Sequence, residues 1–162
     1  MHCLLWLVDA GDTPLSCRDL AVLQGISPTF LAKIFTKLEK AGIVQATEGV
    51  RGGYGLALSP RDISVLDVVD AIEGKKPLFD CQEVRGRCAL FGDQAPAWAT
   101  AGTCSIHAVM LRAEEAMRKT LAAQSLADIA RAVGGKAPPA FADDVRDWID
   151  KRNAFRARKP GT

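Results

Sequence analysis

Cys81, Cys88 and Cys104, with His107 three residues past the last of them, are the side chains of this chain best suited to metal or redox chemistry. Cys104 and His107 share one helical face at that spacing. Thiolate is the form that binds metal and attacks oxidants. A helix beginning at Cys104 or Ser105 favours it, and Arg85 and Arg87 add positive charge nearby. Three kinds of site use such residues. Structural zinc draws on closely paired ligands, and here Cys104 and His107 alone are so paired. An iron–sulfur cluster tolerates wide and irregular spacing and suits a loop. A bare thiol or disulfide switch needs no metal. Catalysis is not expected, because Cys104 and His107 have no third group beside them and no substrate-pocket motif appears. Cys3 and Cys17 fall within helical patterns and are read as small packed hydrophobes.

A second constellation is suited to nucleic acid. Ser27, Thr29, Lys33, Thr36 and Lys37 lie off the apolar side of a short helix, where hydroxyls and ammonium groups can meet bases and phosphates. Arg51 is flanked by Gly49, Gly52 and Gly53, whose freedom to take positive φ would let it approach a phosphate or a minor groove.

The elements that must position these groups are legible in turn. The apolar run Leu4, Leu5, Leu7, Val8 starts without a capping residue, as if Met1 lay inside a helix. Ser16 with Asp19 opens a short helix that stops at Gly25. Ser27 caps the next, with Pro28 at its first position; Phe30, Leu31, Ile34, Phe35 and Leu38 form its packed face and Gly42 ends it. Ile43–Thr47 and the alternation Tyr54, Leu56, Leu58 make a hairpin around a glycine-rich turn. Ser64 with Asp67 caps a helix running to Gly74. Helix, three-residue turn, helix and hairpin is the order of a winged helix-turn-helix.

Periodicity vanishes from Lys75 to Thr103. It returns as the stripe Ile106, Met110, Ala113, Met117, Leu121, the pattern of a helix that wants a partner helix. Ser125 with Asp128 opens a last short helix; Gly134-Gly135 and Pro138-Pro139 then break the chain, and the basic run Lys151–Lys159 is expected to be a loose, solvated tail. The expected fold is mainly α with a small β-hairpin. It comprises a winged helix-turn-helix over 1–74, a cysteine loop over 75–103, a dimerisation helix and short terminal helix over 104–133, and a flexible segment over 134–162.

The balance of 48% hydrophobic and 25% charged residues over 162 positions is that of a folded domain with an appended element. A net charge of +2 does not by itself point to nucleic acid. Nothing approaches the length of an apolar membrane span, and MHCLLWLV lacks a cleavage site, so the cytoplasm, with reduced cysteines and no membrane partner, is expected.

The strings ISPTFLAKIFTKLEKAGIV and RGGYGLAL, then a cysteine loop and a long helix ending near SLADIA, resemble the Rrf-type winged-helix transcriptional regulators, the family of IscR-, NsrR- and RirA-like cluster-sensing proteins. The resemblance implies a homodimer on promoter DNA, with the helices from about Ser105 to Ala123 paired across a two-fold axis. It places Thr29 and Lys33 at bases and Arg51 in the minor groove. It makes Cys81, Cys88 and Cys104 ligands of an iron–sulfur cluster, 2Fe–2S in preference to 4Fe–4S, with the fourth ligand either His107, as in IscR-like members, or an acidic residue from the partner's first helix, as in others. The signal would be redox state, iron or nitric oxide. Ala32 stands where some members carry an acidic residue, and the interval from Cys88 to Cys104 is longer than usual in the family. Family chains also begin earlier, with a basic stretch, so a shortened start and weaker phosphate contact are expected. Two alternatives are a regulator with a thiol switch or zinc in place of the cluster, and a small iron–sulfur carrier or electron-transfer protein that does not bind DNA.

Overall fold

The computed structural model describes residues 1–49 and 52–158. They divide into two units, one built from residues 1–74 with the chain from Ala122 onward, the other from Lys75–Leu121.

The first unit follows from its caps. The Ser16 hydroxyl accepts from the Asp19 amide at 3.4 Å and starts α2 (Cys17–Leu23). Ser27 does the same for Phe30 and, with Pro28 in the first turn, starts α3 (Pro28–Lys40). Before them lies α1 (His2–Ala10), and after them α4 (Val65–Glu73), opened by a reciprocal box between Ser64 and Asp67. β1 (Val44–Thr47) and β2 (Gly53–Leu56) pair antiparallel, from Val44 opposite Leu56 to Thr47 opposite Gly53. The returning strand ends at Leu56 rather than at the expected Leu58, which is 52% exposed. Leu4, Leu7, Leu20, Leu31, Phe35, Leu38, Ile63 and Val68 meet in one core, with the Phe35 ring edge-on to Tyr54 at 4.8 Å.

Two short backbone bridges lock this unit. Leu15, between α1 and α2, donates to the Tyr54 carbonyl at 2.9 Å and accepts from its amide at 2.8 Å, so the hairpin gains a third partner segment. Ser64 bridges Ser125, and the Leu126 amide donates to Ile63 at 2.9 Å, which carries α7 (Leu126–Gly134) to the start of α4. Leu126 is fully buried there, so α7 belongs with the winged helix and not, as expected, with the long helix before it.

The chain beyond α7 overturns the expectation of a loose tail, for residues 139–158 form α8 (Pro139–Arg158). The prolines that follow α7 do not forbid a new helix, since proline is tolerated in a first turn. Phe141, Val145, Trp148, Ile149 and Arg152 recur at three-to-four spacing along it. Phe141 lies 6.0 Å from the Trp6 ring, Val145 is buried, and Ile149 packs on the core. Arg152 stacks over Trp148 at 4.9 Å and donates from Nε to Asp19 of α2 at 2.6 Å. Lys159, the last residue of the basic run, and residues 160–162 lie outside the described residues.

In the second unit the segment expected to be irregular contains 3-10 turns at Arg85–Arg87 and Ala89–Phe91 and one turn of helix, α5 (Ala97–Thr100). Phe91 and Trp98 meet edge-to-face at 5.8 Å. The long helix α6 (Ser105–Ala122) follows, and none of its residues is buried. The Leu78 amide donates to its Glu114 at 3.1 Å.

Candidate functional site

α3 packs through Leu31, Phe35 and Leu38 and leaves Thr29, Lys33, Thr36 and Lys37 exposed. Their engagements differ. The Ser27 hydroxyl is occupied by the cap, and Thr36 Oγ1 donates back to the Ala32 carbonyl at 3.0 Å. Lys37 Nζ donates to the Ile72 carbonyl at 2.6 Å and so caps the end of α4. The side chains of Thr29 and Lys33 make no hydrogen bond or ion pair among the described residues. Phe30, expected on the packed face, is 58% exposed instead. It precedes Leu31 by one residue and therefore points about 100° round the helix from it.

Arg51 lies outside the described residues, while Gly49, Gly52 and Gly53 do not. Gly49 takes a φ of 109° and makes the turn. Gly52 and Gly53 have no such φ, which corrects the sequence reading of why they are glycine. A Cβ on Gly52 would lie 2.2 Å from the Thr47 carbonyl oxygen, and one on Gly53 would lie 2.4 Å from that of Leu15. They are needed because backbone passes backbone, within the turn and at the Leu15 bridge.

The cysteines fall into two environments. Cys3 is buried and Cys17 half-buried in the first unit, and desolvation pushes both thiols above their ordinary range, which suits packing and not reactivity. Cys81 and Cys104 are half-buried in the second unit and Cys88 is exposed. Between them stands Arg85, a residue the sequence offered only as a nearby charge. Its Nε and Nη2 grip the two Glu83 oxygens at 2.7 and 2.8 Å, and Nη2 also donates to the carbonyls of Thr100 at 3.2 Å and Gly102 at 2.8 Å. This fastens the stretch leading into Cys104 onto the segment that carries Cys81, and both thiols lie within electrostatic reach of the guanidinium. Glu83 holds its position with a φ of 45°, which a non-glycine residue seldom adopts. No spacing rule singles out Glu83-x-Arg85 as a clamp; its partners are backbone carbonyls distant in sequence.

His107 rests against the Phe79 ring at 6.1 Å. Among the described residues no three His, Cys, Asp or Glu side chains come together closely enough to share a metal ion. The donor types of Cys81, Cys88, Cys104 and His107 suit iron–sulfur ligation, but this arrangement does not assemble a cluster's shell.

The chain matches over residues 1–132 the family described as Rrf2, iron-dependent transcriptional regulator. It is 34% identical over 121 residues to the protein rrf2 of Nitratidesulfovibrio vulgaris, covering 75% of this chain and 74% of that one. It is 36% identical over 91 residues to the transcriptional repressor NsrR of Streptomyces coelicolor, covering 53% of this chain and 62% of that one, less than two thirds of the relative. The solved structure of IscR from T. potens superposes with a TM-score of 0.62 at 25% identity, over 84% of each chain. With a winged helix carried on α2, α3 and the β1–β2 hairpin, the chain belongs to the Rrf2 family and is a DNA-binding transcriptional regulator, not an enzyme.

Proposed function

We propose that this regulator works in the cytoplasm as a homodimer on promoter DNA and that its second unit senses redox or iron state through Cys81, Cys88 and Cys104. The observation that carries the reading is the division of the thiols. Three stand half-buried or exposed in the second unit, whereas Cys3 and Cys17 are closed into the first. The donor chemistry and the family's description as iron-dependent support an iron–sulfur cluster on the three cysteines with His107, 2Fe–2S ahead of 4Fe–4S. A second reading, a thiol switch without a cluster, has its own support. Cys81 and Cys104 share Arg85, and no three donors converge among the described residues.

Anaerobic reconstitution with iron and sulfide separates the two. The cluster reading expects about two irons and two acid-labile sulfides per chain, and the loss of both in the C81S/C88S/C104S variant. A colourless, iron-free protein overturns it. The thiol reading then expects peroxide to change the affinity for a promoter duplex in the parent protein and not in that variant.

α6 supports dimerisation. Ile106 is 69% exposed, Val109 53% and Met117 43%, an apolar surface with little reason to face water on a helix this long. Ile106→Asp combined with Met117→Asp is expected to give a monomer by sedimentation and to weaken promoter binding by about a hundredfold, since two linked half-sites are then lost as a unit. A dimer that persists in this double variant would remove α6 from the interface.

A further inference from the structure

The outward face of α3 is unusually poor in hydrogen-bonding readers. Its sequence, PTFLAKIFTKLEK, contains no Asn, Gln or Arg, the side chains that pair bidentately with adenine or guanine. Its acid is engaged elsewhere, because Glu39 Oε1 accepts from the Ala46 amide at 3.3 Å. Lys37 is drawn to the Ile72 carbonyl, and the Thr36 hydroxyl to that of Ala32. Between Pro28 at its start and Lys40 at its end, what remains toward solvent is Thr29, Phe30, Ala32 and Lys33. Phe30 is 58% exposed, while Phe35 on the same helix is 1% exposed, and Ile26 just ahead of the helix is 37% exposed. A core that buries its other aromatic so completely has left this ring outside.

The apolar feature that a major groove offers such a ring is the C5-methyl group of thymine. We propose that α3 selects its operator chiefly through thymine methyl groups packed on Phe30, with Lys33, three residues on and so on the same side of the helix, supplying a donor to a guanine edge. Hydration of the ring and of the methyl is released together on docking, so discrimination arises without a bidentate hydrogen bond. The proposal rests on α3 being the helix that enters the groove.

The test uses the full-length protein to select duplexes from a random-sequence pool. The recovered consensus is resynthesised with deoxyuridine in place of thymidine at one position at a time, which removes a methyl group and keeps the pairing edge. One or more half-site positions are expected to lose about fourfold in affinity, the worth of one buried methyl. Phe30→Ala should bind thymidine and deoxyuridine duplexes equally while keeping the parent's dependence on salt, because phosphate contacts are untouched. Its exposed position leaves the core intact, and an unchanged melting temperature verifies this. Equal binding of the two duplexes by the parent protein, or full discrimination retained by Phe30→Ala, overturns the proposal and leaves DNA binding standing. Recovery of no sequence from the pool overturns both this proposal and the placement of α3 in the groove.

Discussion

Gly53→Ala is expected to separate the wing from the body of the first unit. The added Cβ would lie 2.4 Å from the carbonyl oxygen of Leu15, 2.5 Å from its carbonyl carbon and 2.9 Å from the Ser16 amide nitrogen. All three are backbone atoms, so no side chain can rotate away. The hairpin must move, and in moving it gives up the reciprocal 2.9 and 2.8 Å bonds between Leu15 and Tyr54. Tyr54 also carries the ring that Phe35 meets edge-on, so the disturbance reaches the core. Overpacking together with two weakened backbone bonds amounts to about 3 kcal/mol, or roughly 10 °C in melting temperature for a unit of this size. Promoter affinity should fall as well, because Arg51 is two residues away in sequence. Gly55→Ala is the control, for a Cβ there meets nothing within 4 Å. A Gly53→Ala protein that melts with the parent would show that the wing does not depend on the Leu15 bridge.

That glycine illustrates what was legible and what was not. The presence of a glycine-rich wing followed from composition and alternation, since a two-stranded turn needs such residues. The reason for Gly53 did not, because its neighbour Leu15 is distant along the chain and no local pattern announces a backbone bridge. The same division holds elsewhere. The caps at Ser16, Ser27, Ser64 and Ser125 are local and fall where serine spacing put them. Phe30 was assigned to the packed face by its type, although its angular position from Leu31 already set it a quarter-turn aside. In the cysteine segment, residue types could nominate donors but not say which are brought together; Arg85 and Glu83 do that through carbonyls at Thr100 and Gly102. α8 was hidden by its charge. Its basic residues suggest a tail, and the stripe Phe141, Val145, Trp148, Ile149 is thin and follows prolines that break the preceding pattern.

α8 lies beyond the residues matched by the family, yet it holds a helix of the DNA-binding unit in place. Asp19 sits in the first turn of α2 with its side chain 9% exposed, and the 2.6 Å bond from Arg152 satisfies a charge that burial would otherwise penalise. Arg152 itself is 39% exposed, so water screens part of the pair and its full Coulomb energy is not available. Arg152→Ala is expected to cost about 2 kcal/mol, in the lower half of the range for a hydrogen bond to a charged group because of that screening, with a further contribution from the lost stacking on Trp148. A double-mutant cycle separates the ion pair from the packing. In an Asp19→Ala background the same Arg152→Ala change should cost markedly less, and the difference is the coupling between the two side chains. Equal costs in both backgrounds would mean that α8 holds on through Phe141, Val145 and Ile149 alone. The consequence for function follows from position: α2 precedes the recognition helix by a short turn, and the Ile26 amide that closes that turn donates to Ala21 at 2.9 Å. Loosening Arg152 therefore loosens the element against which α3 is set, so Arg152→Ala should raise hydrogen exchange at the amides of α2 and weaken promoter binding through a residue that need not touch DNA. Unchanged exchange in α2, with only the C-terminal amides affected, would confine α8 to a covering role.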